Sequence, residues 1–417
     1  MMTLPPARIR GLLCGLLLVF GLLNVVVRVP GTSISLYYLV APVFLVGLAY
    51  LSVSTTKRLL LIFLVVGCGW AAGLVHQTPI SSMAAQSVFY LLAFTAVESI
   101  RWWKTVDTKL VRFRRLLDMV FLVVLLICIA QIIFDFDIPG TWGYRQYGYA
   151  TAFYFTPNDL ALFLCGYLFV ALFDDVSWMK KAAVLVAIVA IFLVNDAKAA
   201  LIVCFVAATT FLVCPLLERL TVRRPAAVFV LIPILAGPAI FTLAVLARQN
   251  DALMMWEAVQ RIATLDPFRM PGSVYNRADA LIFSIQELSE SWWLGLGPGG
   301  SVHILTWPQY NAFSAQSLHN AIVELMVDLG PVFLILFVAW YAKELYLLLR
   351  AKTLTLPQLR WFAFLLSAAP LSVIQSSGYI SNYGFWAVAT YVWLQRRSAD
   401  SVRGAPKDLR AIAVTLS

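Results

Sequence analysis

The chain has 417 residues, of which 61% are hydrophobic and 12% charged, with a formal net charge of +10. Soluble domains run nearer about 45–50% apolar and about 25% charged, so a soluble fold of this size is excluded. The positive balance does not mark a nucleic-acid binder, because most basic residues sit in short loops at the ends of apolar runs.

A hydrocarbon core needs about 20 apolar residues per helix. Runs near 11–28, 33–53, 59–76, 82–100, 116–134, 156–173, 181–195, 198–216, 227–247, 331–349, 360–377 and 382–395 meet that demand. They predict an all-α polytopic membrane protein of about twelve transmembrane helices. Arg8 and Arg10 before the first run resemble a signal peptide, but no small-x-small cleavage site follows. The run reads as a retained anchor helix.

Lys and Arg counts set the expected orientation. With both termini cytoplasmic, 24 of the 31 Lys and Arg fall in inner loops and tails. Seven fall outside: Arg28, Arg145, Lys198, Arg248, Arg261, Arg269 and Arg277. These seven need a reason to be there.

Two outer segments are long. Residues 136–155 hold Trp142, Tyr144, Tyr147, Tyr149, Phe153, Tyr154 and Phe155. The stretch reads as an interfacial aromatic belt, with a platform for sugar rings as the alternative. The second segment, 248–330, is too long for a structureless connection. Helical patterns occur near 252–264 and 276–289, the latter with an apolar stripe of Leu281, Ile282, Ile285 and Leu288. A turn-rich stretch from Gly295 to Gly300 follows, then a third amphipathic helix from about Ser317 to Gly330-Pro331. The organisation expected is 1–247 as helices one to nine, 248–330 as a large outer helical loop between helices nine and ten, 331–395 as the last three spans, and 396–417 as a cytoplasmic tail.

Chemistry-bearing residues are few. The six cysteines lie inside apolar runs and read as small buried hydrophobes. Asp135-Phe136-Asp137 has DxD spacing but ends a span, and no metal is expected. There is no P-loop, GxSxG or HExxH. His76 and His303 read as structural. His319 stands at the predicted start of a helix with Ser317 as N-cap. A helix N-terminus disfavours imidazolium, which keeps the ring neutral and able to accept a proton. Lys198, in Asn195-Asp196-Ala197-Lys198, either pairs with Asp196 or offers a cation just above the bilayer. Arg277 opens a loop helix beside Tyr275-Asn276.

Several of these segments, taken in order, carry a resemblance. Phe153-Tyr154-Phe155-Thr156-Pro157-Asn158-Asp159-Leu160-Ala161 resembles the F-x-x-P-N-x-x-A start of a span in bacterial polysaccharide polymerases and O-antigen ligases. Asn195-Asp196-Ala197-Lys198 is similar to their short basic turn, and Arg277 to Leu281 has their R-x-x-x-L spacing. Trp293-Leu294-Gly295-Leu296-Gly297-Pro298-Gly299 looks like their glycine stretch, and His319-Asn320 with Gly330 is similar to H-N-x9-G. The resemblance covers about 145–345. Lys198 stands where ligases commonly carry arginine, Phe333 where they carry Gly, Thr or Tyr, and Trp293 where proline is usual.

This resemblance implies a GT-C-like, metal- and cofactor-independent inverting glycosyltransferase at the periplasmic face of the inner membrane. The donor would be an undecaprenyl-pyrophosphate-linked glycan. The acceptor would be a sugar on a second lipid carrier (polymerase) or on lipid A-core (O-antigen ligase), with a chain-length regulator as a further partner. His319 would take the acceptor proton and Arg277 would stabilise the leaving pyrophosphate. Lys198, Arg145, Asn158, Asn320 and Arg261 would bind substrate. The departures favour a polymerase over a ligase. A transporter of lipid-linked sugars is a more distant reading, since its spans would carry polar groups and repeat symmetry.

Overall fold

In a computed structural model, the protein is described at residues 13–17, 19, 21, 36–139, 141, 144–219, 230, 257–258, 260–268, 273–306, 318, 320–351, 353–372 and 382–404. The described residues are 81% helical, with no strand among them. The main helices are α1 (Leu36–Leu51), α2 (Val53–Val75), α3 (Ile80–Lys104), α4 (Val111–Phe134), α5 (Pro157–Leu172), α6 (Trp178–Val194) and α7 (Lys198–Arg219). After these come α8 (Ser273–Glu290), α9 (Ala321–Leu329), α10 (Pro331–Leu349), α11 (Leu356–Leu366) and α12 (Tyr383–Gly404).

Four helices among the described residues, α2, α3, α4 and α7, are long and apolar enough to cross a membrane. Leu60, Leu61, Phe63, Leu64 and Val75 on α2, and Phe205 and Leu212 on α7, are exposed. Apolar side chains turned outward in this way suit lipid, and the protein is an integral membrane protein. The expected spans near 11–28 and 227–247 lie wholly or mostly outside the described residues. The span expected at 360–377 is not one continuous helix: α11 stops at Ser367 and a short helix, Ala368–Ser372, follows.

The bundle is built around α5. Every residue from Leu160 to Leu172 is buried, so this helix is apolar all round and faces protein rather than lipid. At 16 residues it is shorter than the outer helices. It packs against α6, α7, α11 and α12. Its start is fixed by a capping box between Thr156 and Asp159, with Pro157 in the first turn.

One end of the bundle is tied by ion pairs. Arg114 pairs with Asp118 and with Asp174, the latter at 3.0 Å. Arg360 donates to the carbonyl of Phe173, the residue that caps the C-terminus of α5. Arg396 pairs with Glu344, both buried. Glu98 accepts a forked pair of bonds from Arg58 at 2.7 and 2.5 Å.

The opposite end, called here the loop end, carries the connections α2–α3, α4–α5, α6–α7 and the segment that ends at Gly330. There α8, the short helical turns at Gly300–His303 and Ile304–Thr306, and α9 form a small helical unit. Its apolar centre is Ala280, Leu296, Ile304, Leu305, Leu318 and Val327.

Candidate functional site

The expected site residues that are described lie at the loop end, in two groups. The first surrounds the start of α5. Asn195, at the α6–α7 turn, is buried, and its side chain accepts from Ala150 N and donates to Ala150 O, each at 2.8 Å. This clamp sets the α6–α7 turn against the loop before α5. Lys198 opens α7 with its side chain 81% exposed and 3.5 Å from Asp196. Arg145 lies in a single helical turn, Tyr144–Tyr147; its Nε donates to Asp135 O at 2.6 Å, and its backbone N–H is taken by Asp137. Asp137 therefore serves the loop backbone, and no metal-type group of ligands occurs among the described residues. Asn158, half-buried, is in the first turn of α5, at the positive end of that helix.

Of the aromatic residues in this loop, Tyr147 and Phe155 are turned outward, while Tyr154 is buried and stacked on Phe163. Trp142 lies outside the described residues.

The second group is carried by residues 260–268, α8 and α9. Arg261 is engaged on three sides: Glu257 at 3.2 Å, Asp266 at 3.4 Å and the ring of Phe268 at 4.4 Å. It acts as a brace for the turn that Asp279 also holds, through a 2.7 Å bond from Phe268 N. Arg277 is different. It is exposed on the first turn of α8, and among the described residues it has no hydrogen-bond or ion-pair partner. The surrounding protein partly desolvates the guanidinium and lowers its pKa below the ordinary arginine value. It still carries its charge at neutral pH.

His319, its neighbour Ser317, and the remaining outer cations Arg28, Arg248 and Arg269 lie outside the described residues. The residues flanking the histidine do not. Leu318 is buried in the same apolar cluster as Ala280, which sits three residues after Arg277. Asn320 is the N-cap of α9, its side chain accepting from Ile322 N and Val323 N at 3.2 Å each. This corrects the expected boundary: the helix begins at Ala321, not near Ser317, and Asn320 does the capping. With its carbonyl oxygen used by the helix, Asn320 keeps its amide N–H groups for other partners.

Sequence reasoning missed the part that seats this unit on the bundle. Gly295 to Gly300 are all buried. Leu296 N donates to Val327 O at 2.8 Å, and Thr78 donates to Leu296 O at 2.5 Å. Asp328, fully buried, accepts from Gly299 N at 3.0 Å, Ser301 N at 2.9 Å and the Tyr90 hydroxyl at 2.8 Å. Burial pushes its carboxyl above the usual range, and the bonds from Ser301, Gly299 and Tyr90 oppose that shift. Gly297 takes a φ of +85°, and a Cβ there would lie 2.5 Å from Gly73 Cα. The turn is therefore pressed against α2 at a point where neither chain has a side chain. The signal in the sequence was Glu324 and Asp328, two acids one helical turn apart inside an apolar stretch. Both are completely buried.

Comparison with known proteins gives one weak likeness. The chain is 25% identical over 217 residues to the teichuronic acid biosynthesis protein TuaE of Bacillus subtilis (strain 168). The match covers 49% of this chain and 42% of that protein, so it spans less than half of either. No family model and no solved structure matches the chain.

Proposed function

We propose that the protein is a membrane glycosyltransferase that polymerises polyprenyl-pyrophosphate-linked oligosaccharide repeats into a cell-envelope or secreted polysaccharide. The observation that carries this reading is Arg277. It is an exposed cation without a partner among the described residues, and its helix shares an apolar cluster with the residue before His319. A guanidinium left unpaired suits a ligand that brings its own negative charge, and its fork matches phosphate oxygens. The likeness to a protein of teichuronic acid biosynthesis supports a role in making an envelope polysaccharide.

In this reading the site lies on the periplasmic face and both termini are cytoplasmic. Arg277 holds the pyrophosphate as the glycosidic bond breaks, and Lys198 and Arg145 approach the same charge from the α5 side. His319 removes the proton from the attacking sugar hydroxyl, which displaces the pyrophosphate in one inverting step. Asn158 and Asn320 hydrogen-bond sugar. Arg261 contributes by bracing α8, since its guanidinium is already occupied.

The test is complementation of a deletion strain with wild type, His319→Ala and Arg277→Ala, each confirmed to be expressed. Lipid-linked and finished polysaccharide are then analysed together. A polymerase whose site has been removed leaves single lipid-linked repeats and no polymer. Long lipid-linked chains that never reach lipid A-core would instead identify a ligase. Wild-type behaviour of both variants would overturn the site.

A further inference from the structure

Immediately after α8 the chain turns a corner that presents three large apolar side chains. Trp292 is 85% exposed, Trp293 46% and Leu294 63%. Both tryptophans take left-handed backbone conformations, with φ of 55° and 61°. Bulky residues avoid that region, and they hold it here because the turn is fixed on both sides. Trp293 N donates to Leu288 O at 3.0 Å and Leu294 N to Ser291 O at 3.1 Å. On the other side the backbone of Leu294 packs on Gly330, where a Cβ would lie 2.7 Å from the Leu294 carbonyl oxygen.

That contact places the corner relative to the bilayer. Gly330 is the N-cap of α10, a 19-residue apolar helix. Four residues beyond the corner, Pro298 packs on Gly69. Gly69 lies six residues, or roughly 9 Å, inside the end of α2 at Val75. Four residues of extended chain reach at most about 14 Å, so Leu294 stands no more than about 5 Å beyond the end of α2. The 23 residues of α2 amount to about 34 Å, a little more than the roughly 30 Å hydrocarbon core. With α2 spanning the hydrocarbon core, Leu294 lies no higher than the layer of lipid headgroups. This is the layer that tryptophan prefers, with its ring in apolar surroundings and its N–H hydrated.

We propose that Trp292, Trp293 and Leu294 form an interfacial anchor that inserts into the headgroup layer and contacts phospholipid directly. The anchor fixes the C-terminal end of α8 at the membrane surface. It thereby sets the height above the bilayer of Arg277, which stands near the other end of that helix. Gly330, on which the corner packs, opens α10, where Ile335 and Leu336 are 65% and 63% exposed. The charged Glu290, exposed at the last turn of α8, remains on the aqueous side.

The experiment places the photo-crosslinker p-benzoyl-phenylalanine at position 292 or, as a control, at 290, in the full chain in phospholipid nanodiscs. Both sites are exposed, so the substitutions leave the packing intact. After irradiation, intact-mass and lipid analysis are expected to show phospholipid adducts at 292 at least five-fold above those at 290. Equal yields at the two sites, or no lipid adduct at 292, would overturn the proposal. So would adducts at 292 made in native membranes mainly to another protein or to glycan. The measurement does not involve glycan synthesis, so its failure leaves the proposed reaction untouched, and failure of the reaction leaves the anchor untouched.

Discussion

Arg277 and Asp328 are opposites in the use the fold makes of a charge. Arg277 is held where no described side chain neutralises it, whereas Asp328 is buried and saturated with donors. If the guanidinium grips a pyrophosphate through two N–H groups, Arg277→Lys keeps the charge and loses the fork. The expected result is a loss of product of roughly 10- to 100-fold, from about 1.5–3 kcal/mol of charge-assisted hydrogen bonding, with the melting temperature unchanged. Polymer yield per expressed protein measures it; a lysine variant as active as wild type would show that only the net charge matters. Asp328→Asn keeps the volume but turns one acceptor oxygen into a donor facing a donor. A destabilisation of about 1–3 kcal/mol follows, read as a lower unfolding temperature in detergent. Tyr90→Phe costs less, and the two changes combine non-additively because they break one bond between them. Neither the role of Asp328 nor that of Asn320 was legible in the sequence. An acid in an apolar stretch looks the same whether it faces water or caps a turn. Ser317 and Asn320 are both good N-cap residues by type, and it is the bonds from Ile322 N and Val323 N to the Asn320 side chain that identify the cap.

At the scale of elements, hydropathy located α2, α3, α4 and α7, the four described helices long and apolar enough to cross a membrane, within several residues, because a lipid-facing helix must be apolar over its full length. It could not distinguish α5, which is apolar because it is enclosed, from α2, which is apolar because it faces lipid. It also passed through Ser367, where α11 ends, since the residues beyond are equally apolar. The stretch from Gly295 to Gly300 was recognisable as a turn; its destination between α2 and α3 was not, because nothing local encodes the partner. Two glycines separate conformational strain from contact. Gly148 has φ +71° and open space around its Cβ position, while Gly297 has φ +85° and meets the backbone of Gly73. Gly148→Ala is expected to cost about 1–2 kcal/mol, the strain alone. Gly297→Ala adds displacement of α8 and α9 from the bundle, and limited proteolysis should cut the 273–330 region much faster than in the Gly148 variant. Equal protease sensitivity of the two would remove the close approach as the reason for glycine.

At the scale of the molecule, the basic residues and the ion-pair clamps gather at one end of the bundle, and the candidate site at the other. This polarity gives a topology prediction. Phosphatase fusions after Gln77 and Leu265 should be active, and fluorescent-protein fusions after Thr105 and Asp175 should be bright. The reverse pattern would invert the protein and place the site in the cytoplasm. Removing one partner of the buried Arg396–Glu344 pair leaves an uncompensated charge, so Glu344→Gln should cost about 3–5 kcal/mol.

The seat of the glycine turn has a consequence for how the chain is made. Its walls, at Gly69, Gly73, Thr78 and Ser82, leave the ribosome some two hundred residues before the segment that fills it. During that interval the surface of α2 and α3 that residues 295–301 cover is without its partner segment. Docking of residues 295–301 cannot precede their synthesis, so this seam closes only after α1 to α8 have been made. A nascent chain stalled before residue 290 would lack both this segment and α12, and so would be open at this seam and along the faces of α3 and α5 that α12 covers.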